Sequence, residues 1–109
     1  MAGKTLWIRE EYLKEILEGQ KTIEIRVGYS NIRRLKDGDE LCLNDKYFYR
    51  IRRITHYTSF YELLQHEDLA QIAPGMTREQ LLETLNEIYP AEKESLGVFA
   101  LEITPAYNE

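Results

Sequence analysis

The chain has 109 residues, 43% hydrophobic and 30% charged, with a formal net charge of −5. That length supports one domain with one core, residues 1–109, and the single cysteine excludes an internal disulfide framework. No apolar run approaches the roughly 20 residues of a membrane-spanning helix, and an acidic balance excludes a general nucleic-acid coat.

The charge is uneven: residues 1–19 carry −1, residues 20–53 carry +4 and residues 54–109 carry −8. A local basic surface therefore lies within an acidic chain. In chain order, residues 4–9 hold Leu6-Trp7-Ile8 and read as a strand. Residues 10–18 switch to helical spacing, with Tyr12, Leu13, Ile16 and Leu17 on one face and Gly19 as C-terminal cap. Residues 22–27 alternate as a strand. Residues 28–31 read as a loop, residues 32–35 as a turn or short helix, and Lys36-Asp37-Gly38-Asp39 as a turn.

Residues 40–43 and 47–57 predict a hairpin closed by Asn44-Asp45-Lys46. Neither side of the second arm is uniformly apolar, so it is expected to bend or change neighbours. Ser59 and Glu62 predict a capping box over a helix at 60–67, and a short helical piece follows at 68–73. Thr77 and Gln80 cap a longer helix with Leu81, Leu82, Leu85 and Ile88 on its apolar face, which Pro90 ends. Residues 97–103 predict a final, central strand. Mixed elements without regular strand–helix alternation point to α+β, as a small, mostly antiparallel barrel flanked by helices.

The chemistry concentrates in Gly19-Gln20-Lys21-Thr22-Ile23-Glu24-Ile25-Arg26. On a strand, Thr22, Glu24 and Arg26 share one face, and Ile23, Ile25 and Val27 share the other. Lys21 stands at the strand's start and can turn either way. Three ionisable groups this close bind an anion, tune one another's pKa, or pair structurally. Arg26 offers a planar fork, Lys21 a point charge and Glu24 an acceptor. In an enzyme, Lys21 is the candidate nucleophile or base and Glu24 the candidate acid–base partner. A carboxylate beside a lysine opposes amine nucleophilicity, which favours binding.

Around this set, Tyr29 is a candidate base-stacking residue. Arg33 and Arg34 are candidate phosphate contacts or a solvated loop, and Ser59 is a candidate hydroxyl contributor. Tyr12, Tyr61 and Tyr89 read as helical core residues, and Cys42 as a buried strand residue. His56 and His66 lack the companions a metal site needs. No phosphate-binding Gly-rich loop is present, so neither metal nor cofactor is expected. The lone cysteine, and the lack of a leader-like apolar run near Met1, set the expectation of a reducing, cytoplasmic setting.

Tyr12, Ile16 and the octapeptide at 19–26 resemble the Gly-x-Lys-x-x-Glu-x-Arg signature of ASCH domains (activating-signal-cointegrator homology). The resemblance continues through Leu35-Lys36-Asp37-Gly38-Asp39, Tyr57-Thr58-Ser59-Phe60, Ile72-Ala73-Pro74-Gly75, Ile88-Tyr89-Pro90 and Gly97-Val98-Phe99-Ala100-Leu101-Glu102-Ile103. It implies a PUA-like β-barrel with flanking helices, a cleft at the signature residues, and an RNA or nucleotide-like partner. One bacterial branch hydrolyses N4-acetylcytidine with a lysine, a threonine and a glutamate. Lys21 matches that lysine, whereas Glu24 and Pro74 stand at the other two positions. Hydrolysis of a modified nucleoside or of RNA is the alternative reading. A protein-interaction module presenting the acidic helix with Glu79, Glu83 and Glu87 is a third.

Overall fold

The computed structural model describes residues 4–106. Its elements are β1 (Lys4–Leu6), α1 (Glu10–Leu17), β2 (Ile23–Val27), α2 (Ser30–Arg33), β3 (Glu40–Leu43) and β4 (Tyr47–Tyr57). They continue as α3 (Phe60–His66), α4 (Leu69–Ile72), α5 (Arg78–Ile88), a 3-10 segment (Ala91–Leu96) and β5 (Val98–Pro105). The five strands form one sheet in the order β1-β3-β4-β5-β2, with β1 parallel to β3 and every other pair antiparallel. The sheet curls into a half-barrel with helices packed against it, the α+β architecture expected from the sequence.

Local chemistry explains the boundaries. Gly19 takes φ +84° where α1 must end, a conformation only glycine adopts without strain. At the β3–β4 turn, Asn44 (φ 53°) and Asp45 (φ 59°) are both left-handed, and Lys46 N–H donates to Leu43 C=O at 3.0 Å. Positive φ at both central positions matches the right-handed strand twist. Thr77 and Gln80 form a complete capping box on α5. The capping box expected at Ser59 is only half formed. Ser59 accepts from Glu62 N–H at 3.0 Å, but the Glu62 carboxylate turns to Thr58 N–H and its hydroxyl.

β4 changes neighbours along its length, pairing with β3 over residues 47–50 and with β5 from Tyr49 onward. A bulge between Ile51 and Arg53 resets its alternation. Tyr49 and Ile51 therefore face the core before the bulge, whereas Arg53 pairs across β5 with Glu102 on the opposite face. Two cores result, one on each side of the sheet. Leu13 and Ile16 of α1 and Ile32 of α2 pack with Leu41, Leu43, Ile51 and Leu101. Phe60, Leu63 and Leu64 of α3 and Leu81 and Leu85 of α5 pack with Ile23, Ile25, Val27 and Val98.

Several expectations shift. The first strand stops at Leu6, because Asn44 takes both main-chain groups of Ile8: N–H to Oδ1 at 2.7 Å, and Nδ2 to C=O at 2.8 Å. β5 is interior but lies one strand from the edge, and the middle place belongs to β4. Tyr61 is 63% exposed rather than a core residue, and Cys42 is half-buried between Thr5 and Phe48. Among the described residues, no helix is long and apolar enough to cross a membrane.

Candidate functional site

β2 is an edge strand, and a cavity of about 210 Å³ opens along it. One wall is the segment after β1 and the start of α1: Trp7, Arg9 and Tyr12. The other is helical: Ile72 and Ala73 at the end of α4, and Leu81, Leu85, Ile88 and Tyr89 on and after α5. The floor is β2, with Glu24, Ile25 and Arg26, and Lys21 just before it. The two walls are pinned independently. Asn44 clasps Ile8, which fixes Trp7 and Arg9, and Thr22 N–H donates to Gln71 C=O at 2.9 Å, which fixes α4.

Lys21 turns inward and is 5% exposed. Its Nζ donates to Ile23 C=O at 2.6 Å and Ile72 C=O at 2.8 Å, and lies 3.1 Å from Glu24 Oε1. An ammonium has three N–H groups, so all three have acceptors. It bridges α4 and β2 and orients Glu24. The other carboxylate oxygen of Glu24 accepts from Arg26 Nε at 2.8 Å, and Arg26 Nη2 donates to Trp7 C=O at 2.8 Å. Burial alone raises the Glu24 carboxyl, but Lys21 and Arg26 together outweigh it and hold Glu24 below its ordinary value. The site therefore presents an ionised carboxylate fixed between two cations.

Arg26 Nη1 and the whole Arg9 guanidinium have no partner among the described residues and remain available to a ligand. Trp7 is 65% exposed and Ile88 43% exposed, so apolar surface lies open beside these cations. Among the described residues, no group of three His, Cys, Asp or Glu is placed to hold a metal ion.

Of the residues singled out by sequence, the structure brings Lys21, Glu24 and Arg26 together. It leaves Tyr29, Arg33, Arg34 and Ser59 outside the cavity. Tyr29 precedes α2 with Lys93 Nζ 5.7 Å from its ring centre. Arg33 donates to Gly28 C=O at 3.1 Å and to Leu96 C=O, and lies over Phe99. Arg34 lines a separate recess with Lys4 and Asn31, and Ser59 caps α3. Pro74 sits in the turn after α4, not among the lining residues. His56 stacks on Phe99 and His66 on Tyr57.

Sequence reasoning missed Trp7 and Arg9, and it read Tyr12 and Tyr89 as core residues; both pack partly buried against the cores and also line the cavity. The available signal was modest: an arginine just before a helix, without an acidic residue four positions on, and a tyrosine between a helix end and Pro90.

The ASCH domain family model matches residues 6–106. The chain belongs to the ASCH domain family. Two solved structures resemble this ASCH domain over almost their whole lengths. The crystal structure of hypothetical protein PH0355 superposes with a TM-score of 0.87 at 32% identity, covering 93% of this chain and 96% of that one. The solution NMR structure of protein PF0455 from Pyrococcus furiosus gives 0.80 at 32% identity, covering 96% and 98%. Among curated proteins none matches.

Proposed function

We propose that this ASCH domain binds RNA or a nucleotide-like ligand in the β2 cavity. The observation that carries the reading is the pairing, in one cavity, of free guanidinium nitrogens, those of Arg9 and Nη1 of Arg26, with open aromatic surface. Arg9 and Arg26 supply charge for phosphate or a base, and Trp7, Tyr12 and Tyr89 supply rings of the kind on which bases stack. Glu24 supplies a fixed acceptor for an amine or hydroxyl, and Lys21 positions it. The RNA association implied by the family resemblance points the same way.

Trp7 is the single tryptophan and lines the cavity, so its fluorescence reports occupancy. Titration with short single-stranded RNAs and with nucleosides gives a saturable change in the parent. Arg26→Ala and Arg9→Ala weaken binding while far-UV circular dichroism stays that of the parent. Variants that bind as tightly as the parent overturn the assignment of the site.

A further inference from the structure

The outer edge of β2 carries a sheltered donor–acceptor pair that the fold leaves unused. Ile103 N–H donates to Thr22 C=O at 2.9 Å, and Gly28 N–H to Gly97 C=O at 2.8 Å. In an antiparallel ladder, residues alternate between those bonded to the partner strand and those whose main chain points away. Thr22, Glu24, Arg26 and Gly28 therefore face β5, while Ile23, Ile25 and Val27 direct N–H and C=O to the open edge.

Both ends of that edge are already engaged. Lys21 occupies the Ile23 carbonyl at 2.6 Å, and Tyr29 N–H occupies the Val27 carbonyl at 2.8 Å. Between them, the N–H and C=O of Ile25 have no partner among the described residues. Ile25 is only 6% exposed, and sheltered main-chain groups without partners are rare. The lining residues come from both faces of β2: Glu24 and Arg26 from one, Lys21 and Ile25 from the other. The cavity therefore lies directly off the strand edge, where the Ile25 pair points.

We propose that the Ile25 main chain reads the edge of a nucleobase, its N–H donating to a ring nitrogen or carbonyl oxygen of the base and its C=O accepting from an adjacent N–H. This rests on the proposed nucleotide-binding role of the cavity and names what selects the ligand there. An added peptide strand needs a continuing ladder, and the flanking carbonyls of Ile23 and Val27 are taken. Among the described residues of this edge, only Ile25 offers both an N–H and a C=O without a partner. A volume of about 210 Å³ falls below the roughly 300–1,000 Å³ of sites for drug-sized ligands. It suits one planar ring system, with Trp7 and Tyr89 at hand as aromatic surface and Arg9 beyond for a phosphate.

The main chain cannot be deleted by substitution, so the test alters the ligand. Uridine, guanosine, adenosine and cytidine are titrated beside 3-methyluridine, 1,N2,N2-trimethylguanosine, N6,N6-dimethyladenosine and N4,N4-dimethylcytidine. Each methylated partner is neutral and lacks the edge donor. Binding is followed by Trp7 fluorescence and by the amide resonance of Ile25. At least one parent nucleoside binds and shifts the Ile25 amide, and its methylated counterpart binds roughly tenfold more weakly. Equal affinities with an unmoved Ile25 amide overturn edge reading and leave nucleotide binding in the cavity intact. If neither nucleosides nor short RNAs bind, both readings fall. An Ile25 amide that moves only with an extended peptide overturns edge reading in favour of strand docking.

Discussion

Replacing Lys21 by methionine tests whether the lysine is a structural bridge. The side-chain length is nearly kept, so packing changes little and the charge is what goes. The loss leaves the Ile72 carbonyl without its donor, the Ile23 carbonyl open, and one oxygen of Glu24 facing an apolar group. Removing one partner of a buried ion pair costs about 3 kcal/mol or more; here Arg26 still holds the other oxygen, which places the effect at that lower end. At roughly 4 °C per kcal/mol for a domain of this size, the midpoint of thermal unfolding at pH 7 falls by about 12 °C. The deficit also depends on pH. Glu24 has its folded pKa below the ordinary value of 4.5, so its stabilisation is present above that value and is lost as pH falls through the lowered one. Less of it exists to lose in the variant, so the gap between parent and variant narrows as pH drops below 4.5. Calorimetry at pH 7 and pH 3.5 measures both. A midpoint within about 3 °C of the parent at pH 7, or a gap that stays constant with pH, refutes the bridge.

Arg53 donates to the sheltered Glu67 through two nitrogens and to Glu102 through a third contact, so Arg53→Ala costs about 2 kcal/mol by urea denaturation. Exposed Arg52, changed to alanine, stays within about 0.5 kcal/mol of the parent. Burial and the hydrogen bond to Glu67 push the Tyr57 hydroxyl up to about 12, so stability falls as pH rises from 10 toward 12. Tyr57→Phe loses less stability over that window in denaturant titrations at pH 9 and pH 11. Gly19 and Gly97 both have φ near +85°, but a Cβ on Gly97 clashes with His56 Nε2 while one on Gly19 meets nothing within 4 Å. Gly19→Ala costs about 1 kcal/mol for its backbone alone, and Gly97→Ala roughly twice that or more, read from chemical denaturation.

The legible parts of this fold are those where a short stretch decides its own structure. Thr77 with Gln80, Gly19 after Leu17, and Asn44-Asp45 between two apolar runs each act over a few residues, and α1, α5 and the hairpin follow. The cluster of Lys21, Glu24 and Arg26 was visible because six consecutive residues, on and just before β2, carry all three. What escaped depends on groups distant in sequence. Lys21 turns inward because the Ile72 carbonyl, 51 residues later, receives it. Arg53 rather than Arg50 finds carboxylates because a bulge shifts the alternation, and alternation read along one strand cannot show a bulge. Tyr61 has helical spacing like its buried neighbours, yet α3 presents that position to water. Trp7, Arg9 and Tyr89 share a cavity only because the sheet curls and leaves β2 at its edge.

The sheet order has a consequence for how this protein is made. Among the described strands β2 pairs with β5 alone, although β3 and β4 lie between the two in sequence, with Ile23 paired to Glu102 and Val27 to Val98. The hairpin of β3 and β4 can form as soon as it emerges, whereas β2 must wait unpaired until residues near Pro105 have left the ribosome. The floor of the cavity is thus completed only after β5 has emerged, and a nascent chain stalled before Val98 lacks the strand that holds it.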